Sequence, residues 1–173
     1  IGRAGMNAAL SQYVSMARAV AGDGHAPLRA VANILDAWLL MLRGELDAAD
    51  ARFAEVDGDN RWLGQPRNLR IPMLGFRSVW HALRGEVEPF RAIADEVLAD
   101  VDADPQRRGT WRGVYLYMLG RMAAGMDDWA LAGHFHGELQ RTPAEQEWPY
   151  MAHARATLAA QFALRAGRVQ PAL

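Results

Sequence analysis

Five glycines recur along this chain at nearly even steps. Gly5, Gly44, Gly85, Gly125 and Gly167 are separated by 39, 41, 40 and 42 residues. Each stands in a similar stretch: RAGMNAAL at 3–10, LRGELDAA at 42–49, LRGEVEPF at 83–90, AAGMDDWA at 123–130 and RAGRVQPA at 165–172. A period of this length marks a repeat architecture. Each unit buries its apolar face only by stacking on its neighbours.

The columns around the glycines agree. Nine residues before them stand Leu35, Phe76, Leu116 and Leu158. Seven before stand Ala37, Ser78, Met118 and Ala160. Five after stand Leu10, Ala49, Phe90, Ala130 and Ala172; nine after stand Val14, Phe53, Ala94 and His134. A glycine closes a helix because it takes the left-handed C-cap conformation at little cost. Asp47, Glu88, Asp128 and Gln170 follow where a second helix would start, and acidic groups favour that positive helix end. The motif therefore predicts a helical hairpin.

Other punctuation fits. Gly22-Asp23-Gly24, Asp57-Gly58-Asp59-Asn60 and Asp102-Ala103-Asp104-Pro105 read as breaks. Thr142-Pro143-Ala144-Glu145 reads as a capping box. The pattern predicts helices over 6–21, 27–43, 47–57, 68–84, 88–101, 109–124, 128–141 and 144–166, with a ninth starting at 170. Trp62 falls in the long link after the third helix. No segment keeps a period-two alternation, so no sheet is expected. The expected fold is all-α, a solenoid of helical hairpins. Residues 1–173 are expected to form one helical-repeat domain, a piece of a longer array, because the chain opens and closes inside repeat sequence.

Composition narrows the functions. Apolar residues make up 51% of the chain and charged ones 23%, enough for a packed core. The 19 basic and 20 acidic residues nearly cancel, which argues against a polyanion binder and so against nucleic acid. The absence of cysteine excludes thiolate catalysis and Cys-ligated zinc. No apolar run reaches membrane length and no signal peptide is visible, so the expected location is the cytoplasm. All 19 basic residues are Arg and 32 residues are Ala, a composition that reads as high-GC bacterial coding.

A turn glycine with Ala five residues on and an aromatic nine residues on resembles the tetratricopeptide repeat. LRGELDAADARFAEV at 42–56, with Gly44, Ala49 and Phe53, carries the likeness best. With a period near 40, the chain resembles the helical-repeat regions of large bacterial LuxR-like and maltose-activator-type transcription regulators. Phe90 and His134 depart from the pattern. The resemblance implies a right-handed solenoid and a non-catalytic interaction or regulatory module. Its partner would be a protein, a peptide or a neighbouring domain of the same chain. The alternative is a small-molecule-sensing solenoid.

Candidate chemistry is sparse. His134 and His136 lie two apart and point to opposite sides of a helix, so they cannot chelate one ion. His134 and Glu138 have helical ligand spacing but lack a third ligand. His81 stands near a helix end, where carbonyls and the dipole attract it. Glu86, Glu88, Asp127, Asp128 and Glu145 sit at helix starts, which explains them without catalysis. Phosphate-loop and nucleophile-elbow motifs are absent. No enzyme activity, metal or cofactor is expected. Arg107, Arg108, Trp111 and Arg112 make a basic-aromatic cluster that reads as a solvated helix start. In the resembled family the first helix of each pair lines a concave face. The matching positions carry Trp38 and Ile34 in one repeat and Leu119 and Tyr115 in another. Those four, with Trp62 as an exposed anchor, are the candidate binding residues.

Overall fold

The computed structural model describes residues 3–22, 24–142 and 151–168. The described residues are helical, with no strand among them. Eight helices follow in order: α1 Arg3–Ala21, α2 Ala26–Arg43, α3 Leu46–Trp62, α4 Arg67–Leu83, α5 Val87–Asp102, α6 Pro105–Gly125, α7 Trp129–Arg141 and α8 Met151–Arg165. They divide into two compact units, residues 1–80 and 81–173.

Five turns among the described residues share one hydrogen-bond pattern. At the first, the Gly44 N–H donates to the Met41 carbonyl at 3.0 Å and the Glu45 N–H to Leu40 at 2.9 Å. The same pair of bonds recurs from Gly64 and Gln65, from Gly85 and Glu86, from Asp127 and Asp128, and from Gly167 and Arg168. This is the Schellman arrangement, which satisfies the last helix carbonyls through a left-handed residue. Gly44 and Gly85 have φ of +80° and +72°. No heavy atom would meet a Cβ at Gly44, so only backbone strain opposes a side chain there. Gly44→Val is expected to cost about 1–2 kcal/mol in urea unfolding.

Two of the five glycines are not turn residues. Gly5 lies inside α1, which starts at Arg3. Gly125 is the last residue of α6, and the left-handed residue of that turn is Asp127, at φ +62°. Aspartate tolerates this conformation better than most side chains, and its carboxylate accepts a 2.5 Å bond from Trp129 Nε1. Moving the fourth register by two residues repairs two of its columns. The position seven before the turn is then held by Ala37, Ser78 and Gly120, all small and buried. The position five after is held by Ala49, Phe90 and Ala132, all at 0% exposure.

The small column has a steric reason in the second unit. A Cβ at Gly120 would stand 3.0 Å from Leu158 Cδ2 and 3.5 Å from Phe135 Cβ. Helix α6 therefore approaches both α7 and α8 through its backbone. Gly120→Val should overpack this contact and destabilise the unit by about 2–3 kcal/mol, read by urea unfolding. A neutral result would mean that Leu158 yields freely. The rest of this core is Phe90 and Ala94 of α5, Leu116, Leu119 and Ala123 of α6, Ala132, Phe135 and Leu139 of α7, and Met151 and Ala154 of α8.

In the first unit α2 is the central helix. Ala26, Ala30, Ala32, Ile34, Ala37, Leu39 and Met41 are all buried along it. Val14, Ala17 and Ala21 of α1 are buried on one side of that helix, and Ala49, Phe53 and Val56 of α3 on another. Part of α4 joins the unit: Trp80 Nε1 donates to the Leu46 carbonyl at 2.8 Å, and Phe76 packs on Trp38 with ring centroids 5.2 Å apart.

Most helix ends fall within two residues of expectation. Two do not. Helix α3 runs through Asp57-Gly58-Asp59-Asn60 to Trp62, so the expected loop and the loop placement of Trp62 are corrected. Asp59 and Asn60 are buried, and Asp59 is clasped by Arg29 of α2. Tertiary pairing has overridden the local loop preference. Helix α6 starts at Pro105 and not at 109, with Asp104 Oδ1 accepting from the Gln106 N–H at 3.0 Å. Proline fits a first helical position. The capping box at 142–145 and the start of a ninth helix at 170 lie outside the described residues, apart from Thr142.

Candidate functional site: an arginine-lined cleft in the first unit

Three helices of the first unit place polar side chains on one another. Helix α2 carries Arg29, Asn33 and Asp36 at steps of four and three residues. Helix α3 carries Arg52, Glu55 and Asp59 at steps of three and four. Such spacings line up on one helix face. The last turn of α1 adds Arg18.

These side chains close a ring of hydrogen bonds. Arg18 Nη2 donates to Asn33 Oδ1 at 2.9 Å and to Asp36 Oδ2 at 2.7 Å. Arg52 Nε donates to the same Asp36 oxygen at 3.0 Å, and its Nη1 to Glu55 Oε1 at 2.6 Å. Asn33 Nδ2 donates to Glu55 Oε2 at 3.0 Å and completes the circuit. Asn33 is only 3% exposed. Beside the ring, Arg29 grips Asp59 through both Nε and Nη2. Paired charges and a satisfied amide remove most of the desolvation penalty of a polar cluster at this depth.

The ring forms part of the lining of an open cleft of about 260 Å³. Arg18, Arg29, Asn33, Arg52 and Glu55 face it, with Ala21 and Gly22 at the end of α1. Asp36 and Asp59 hold the arginines from outside the lining. The lining side chains thus carry three cations against one carboxylate. Arginine forks of this kind recognise planar or tetrahedral oxyanions. Among the described residues, no group of three or more His, Asp and Glu side chains is placed to hold a metal ion.

A second cleft of about 420 Å³ is mainly apolar. Pro27, Leu28 and Val31 of α2 face Leu63, Pro66 and Leu69 around the start of α4, with His25 and Asn68 at its edge. Trp62, next to Leu63, is 78% exposed. Along α1, Tyr13, Met16 and Val20 are exposed at three- and four-residue steps.

Of the residues nominated from sequence, Ile34, Trp38 and Trp62 belong to the first unit and Tyr115 and Leu119 to the second. Ile34 and Leu119 are buried, so their side chains serve packing and offer no surface. Trp38 is half-buried against Phe76. Tyr115 is half-buried on the core of the second unit, with its ring 6.5 Å from Trp111. In the corrected register Tyr117 and Arg121 occupy the columns assigned to Tyr115 and Leu119, and the Arg121 guanidinium lies 5.8 Å from the Tyr117 ring centre. The ring residues of the first unit were not nominated. Their signal in the sequence is a polar stripe at helical spacing, whereas the nominated positions form an apolar one.

Charges in the second unit are structural. Arg112 bridges Asp102 and Glu138 at 2.8 Å each, and Arg91 meets Asp128 at 2.6 Å. His81 Nδ1 lies 2.7 Å from Glu86 across the hairpin turn. His136 stacks on Phe162 with centroids 5.0 Å apart; burial, helped by the Arg155 charge, lowers its pKa. Glu138 accepts from Arg141 and from Arg112, and those bonds lower its pKa to about 2. A depressed carboxylate pKa stabilises the fold above the unfolded value and loses that effect as pH falls through the folded one. Acid titration should therefore weaken the second unit as pH drops from 4.5 toward 2, and Glu138→Gln should flatten the response in that window. An unchanged acid limb in the variant would remove Glu138 as its source.

No family model, curated protein or solved structure matches this chain.

Proposed function

We propose that the chain is a non-catalytic helical-repeat module, a right-handed solenoid of tetratricopeptide-like hairpins that serves protein interaction within a bacterial cytoplasmic transcription regulator. Of the five turns with one hydrogen-bond pattern, the four at Gly44, Gly85, Asp127 and Gly167 recur at steps of about 40 residues, which supports the repeat reading. The observation that carries the interaction reading is the row of Tyr13, Met16 and Val20 left exposed on α1. Seven residues of helix span roughly 10 Å, enough for two helical turns of an apposed helix. Apolar side chains at these steps form the ridge that a second helix packs into. The partner is thus an amphipathic helix, from another protein or from a neighbouring domain. Trp62 supplies a separate exposed aromatic of the type that anchors interfaces.

A photo-crosslinker at Met16 would capture the partner, and the purified partner would then be titrated against wild type and Met16→Glu. The expected result is at least about tenfold weaker binding in the variant, from a charge buried in an apolar seam. Equal binding by wild type, Met16→Glu and Trp62→Ala would overturn the reading.

A second reading, a small-molecule-sensing module, is favoured by the arginine-lined cleft.

A further inference from the structure

We propose that the cleft between α1, α2 and α3 binds the oxyanion group, phosphate or carboxylate, of a small molecule. This deepens the sensing reading and is independent of the α1 surface. The ring explains how the arginines are held, but it does not use their full donor capacity. Arg18 makes both its bonds through Nη2, and Arg52 makes its bonds through Nε and Nη1. Each guanidinium carries five N–H groups in a fixed fork. Donors of Arg18 and Arg52 therefore exceed the acceptors the ring supplies, on two side chains that line the cleft.

Arginines outnumber carboxylates on the lining, while Asp36 and Asp59 behind it bring the whole cluster to neutrality. The lining carries Arg18, Arg29 and Arg52 against Glu55. The carbonyl end of α1 at Ala21 and Gly22 opposes an anion, but with an effect of roughly half a charge. The arginines are also pre-organised. Asp36 fixes Arg18 and Arg52 from behind, and Asp59 fixes Arg29. An entering oxyanion meets forks already oriented, which lowers the ordering cost of binding. Buried Asn33 holds the floor by bonding Arg18 and Glu55 at once. A volume of about 260 Å³ suits a small metabolite and not a polymer.

The test uses the whole chain, with inorganic phosphate and acetate as separate probes. Both are titrated at constant ionic strength, by calorimetry and by amide NMR. Saturable binding is expected, with the Asn33 side-chain amide among the signals that move. Arg52→Gln should weaken binding roughly tenfold by removing one charge-assisted contact. Glu55→Gln should tighten it roughly three- to tenfold by removing the one lining carboxylate. A merely structural role would damage both variants alike, so opposite signs are the signature. If Arg52→Gln fails to fold, the Glu55→Gln change and the Asn33 shift decide the matter. Tighter phosphate identifies a phosphate ester, and tighter acetate a carboxylate. Absence of saturation by either probe overturns the proposal, as does equal affinity in wild type and Glu55→Gln. Stabilisation by an apolar ligand without oxyanion binding would sink this inference and leave the sensing reading standing.

Discussion

Phe53→Ala is expected to destabilise the first unit by about 3–5 kcal/mol. Phe53 is wholly buried on α3, between Ala49 and Val56 on the same helix face. Its ring also carries the Arg77 guanidinium 5.8 Å from its centre, and Arg77 is held by Asp57 at 2.6 Å. The helix that packs on α3 is α2. Half of its buried residues, Ala26, Ala30, Ala32 and Ala37, carry methyl groups that cannot extend, beside Asn33, Ile34, Leu39 and Met41. A cavity that cannot collapse sits at the costly end of such substitutions. Phe53→Leu keeps most of the volume and should cost about 1 kcal/mol. Native-state hydrogen exchange of α2 and α3 amides would read both values in this unit alone. A loss in Phe53→Ala below about 1 kcal/mol would show that the unit repacks, contrary to this argument.

The turns were legible because they obey local chemistry. Gly44 and Gly85 stop their helices through a backbone conformation that other residues avoid, and that preference is visible in any window around them. The fourth turn was misread because Asp127 does the same work without being glycine. Gly125, two residues earlier, drew the register away, and Met118 then stood in a column that Gly120 fills. The tight approach of Leu158 to Gly120 is what requires a small residue there, and no window on α6 alone reveals a neighbour on α8. Gly5 shows the opposite error, a glycine in a similar stretch that lies within a helix. Neighbouring sequence signals a turn only if the chain has a hairpin to close. The cleft was legible in part. Arg29, Asn33 and Asp36 form one polar stripe, and Arg52, Glu55 and Asp59 form another. Their partnership depends on α2 and α3 packing as a pair. Arg18 stands across the 22–24 break, and nothing in its surroundings marks it.

Asp59→Ala is expected to cost about 3 kcal/mol, at the low end for breaking a buried ion pair. The Asp59 side chain is 11% exposed, so its removal takes the carboxylate from Arg29 at a site with little water. The Arg29 side chain is 33% exposed, so it regains some hydration, which limits the loss. A double variant, Arg29→Leu with Asp59→Leu, should return close to wild-type stability, because the desolvation of both charges disappears together. A double-mutant cycle separates that coupling from simple lost packing. The substitution also has a local consequence that a packing loss elsewhere in the unit would not have. Asp57-Gly58-Asp59-Asn60 reads as a loop on its own, and the Arg29 clasp is a principal contact drawing it into α3. Without the clasp, the last turn of α3 should fray. Amide protection at Leu63, whose N–H donates to the Asp59 carbonyl at 2.9 Å, should fall further than protection at Phe53. Even loss along α3 would mean that the helix holds this stretch by its own propensity, and the override by Arg29 would then be wrong. Fraying confined to residues 58–63 would show a single ion pair deciding between helix and loop.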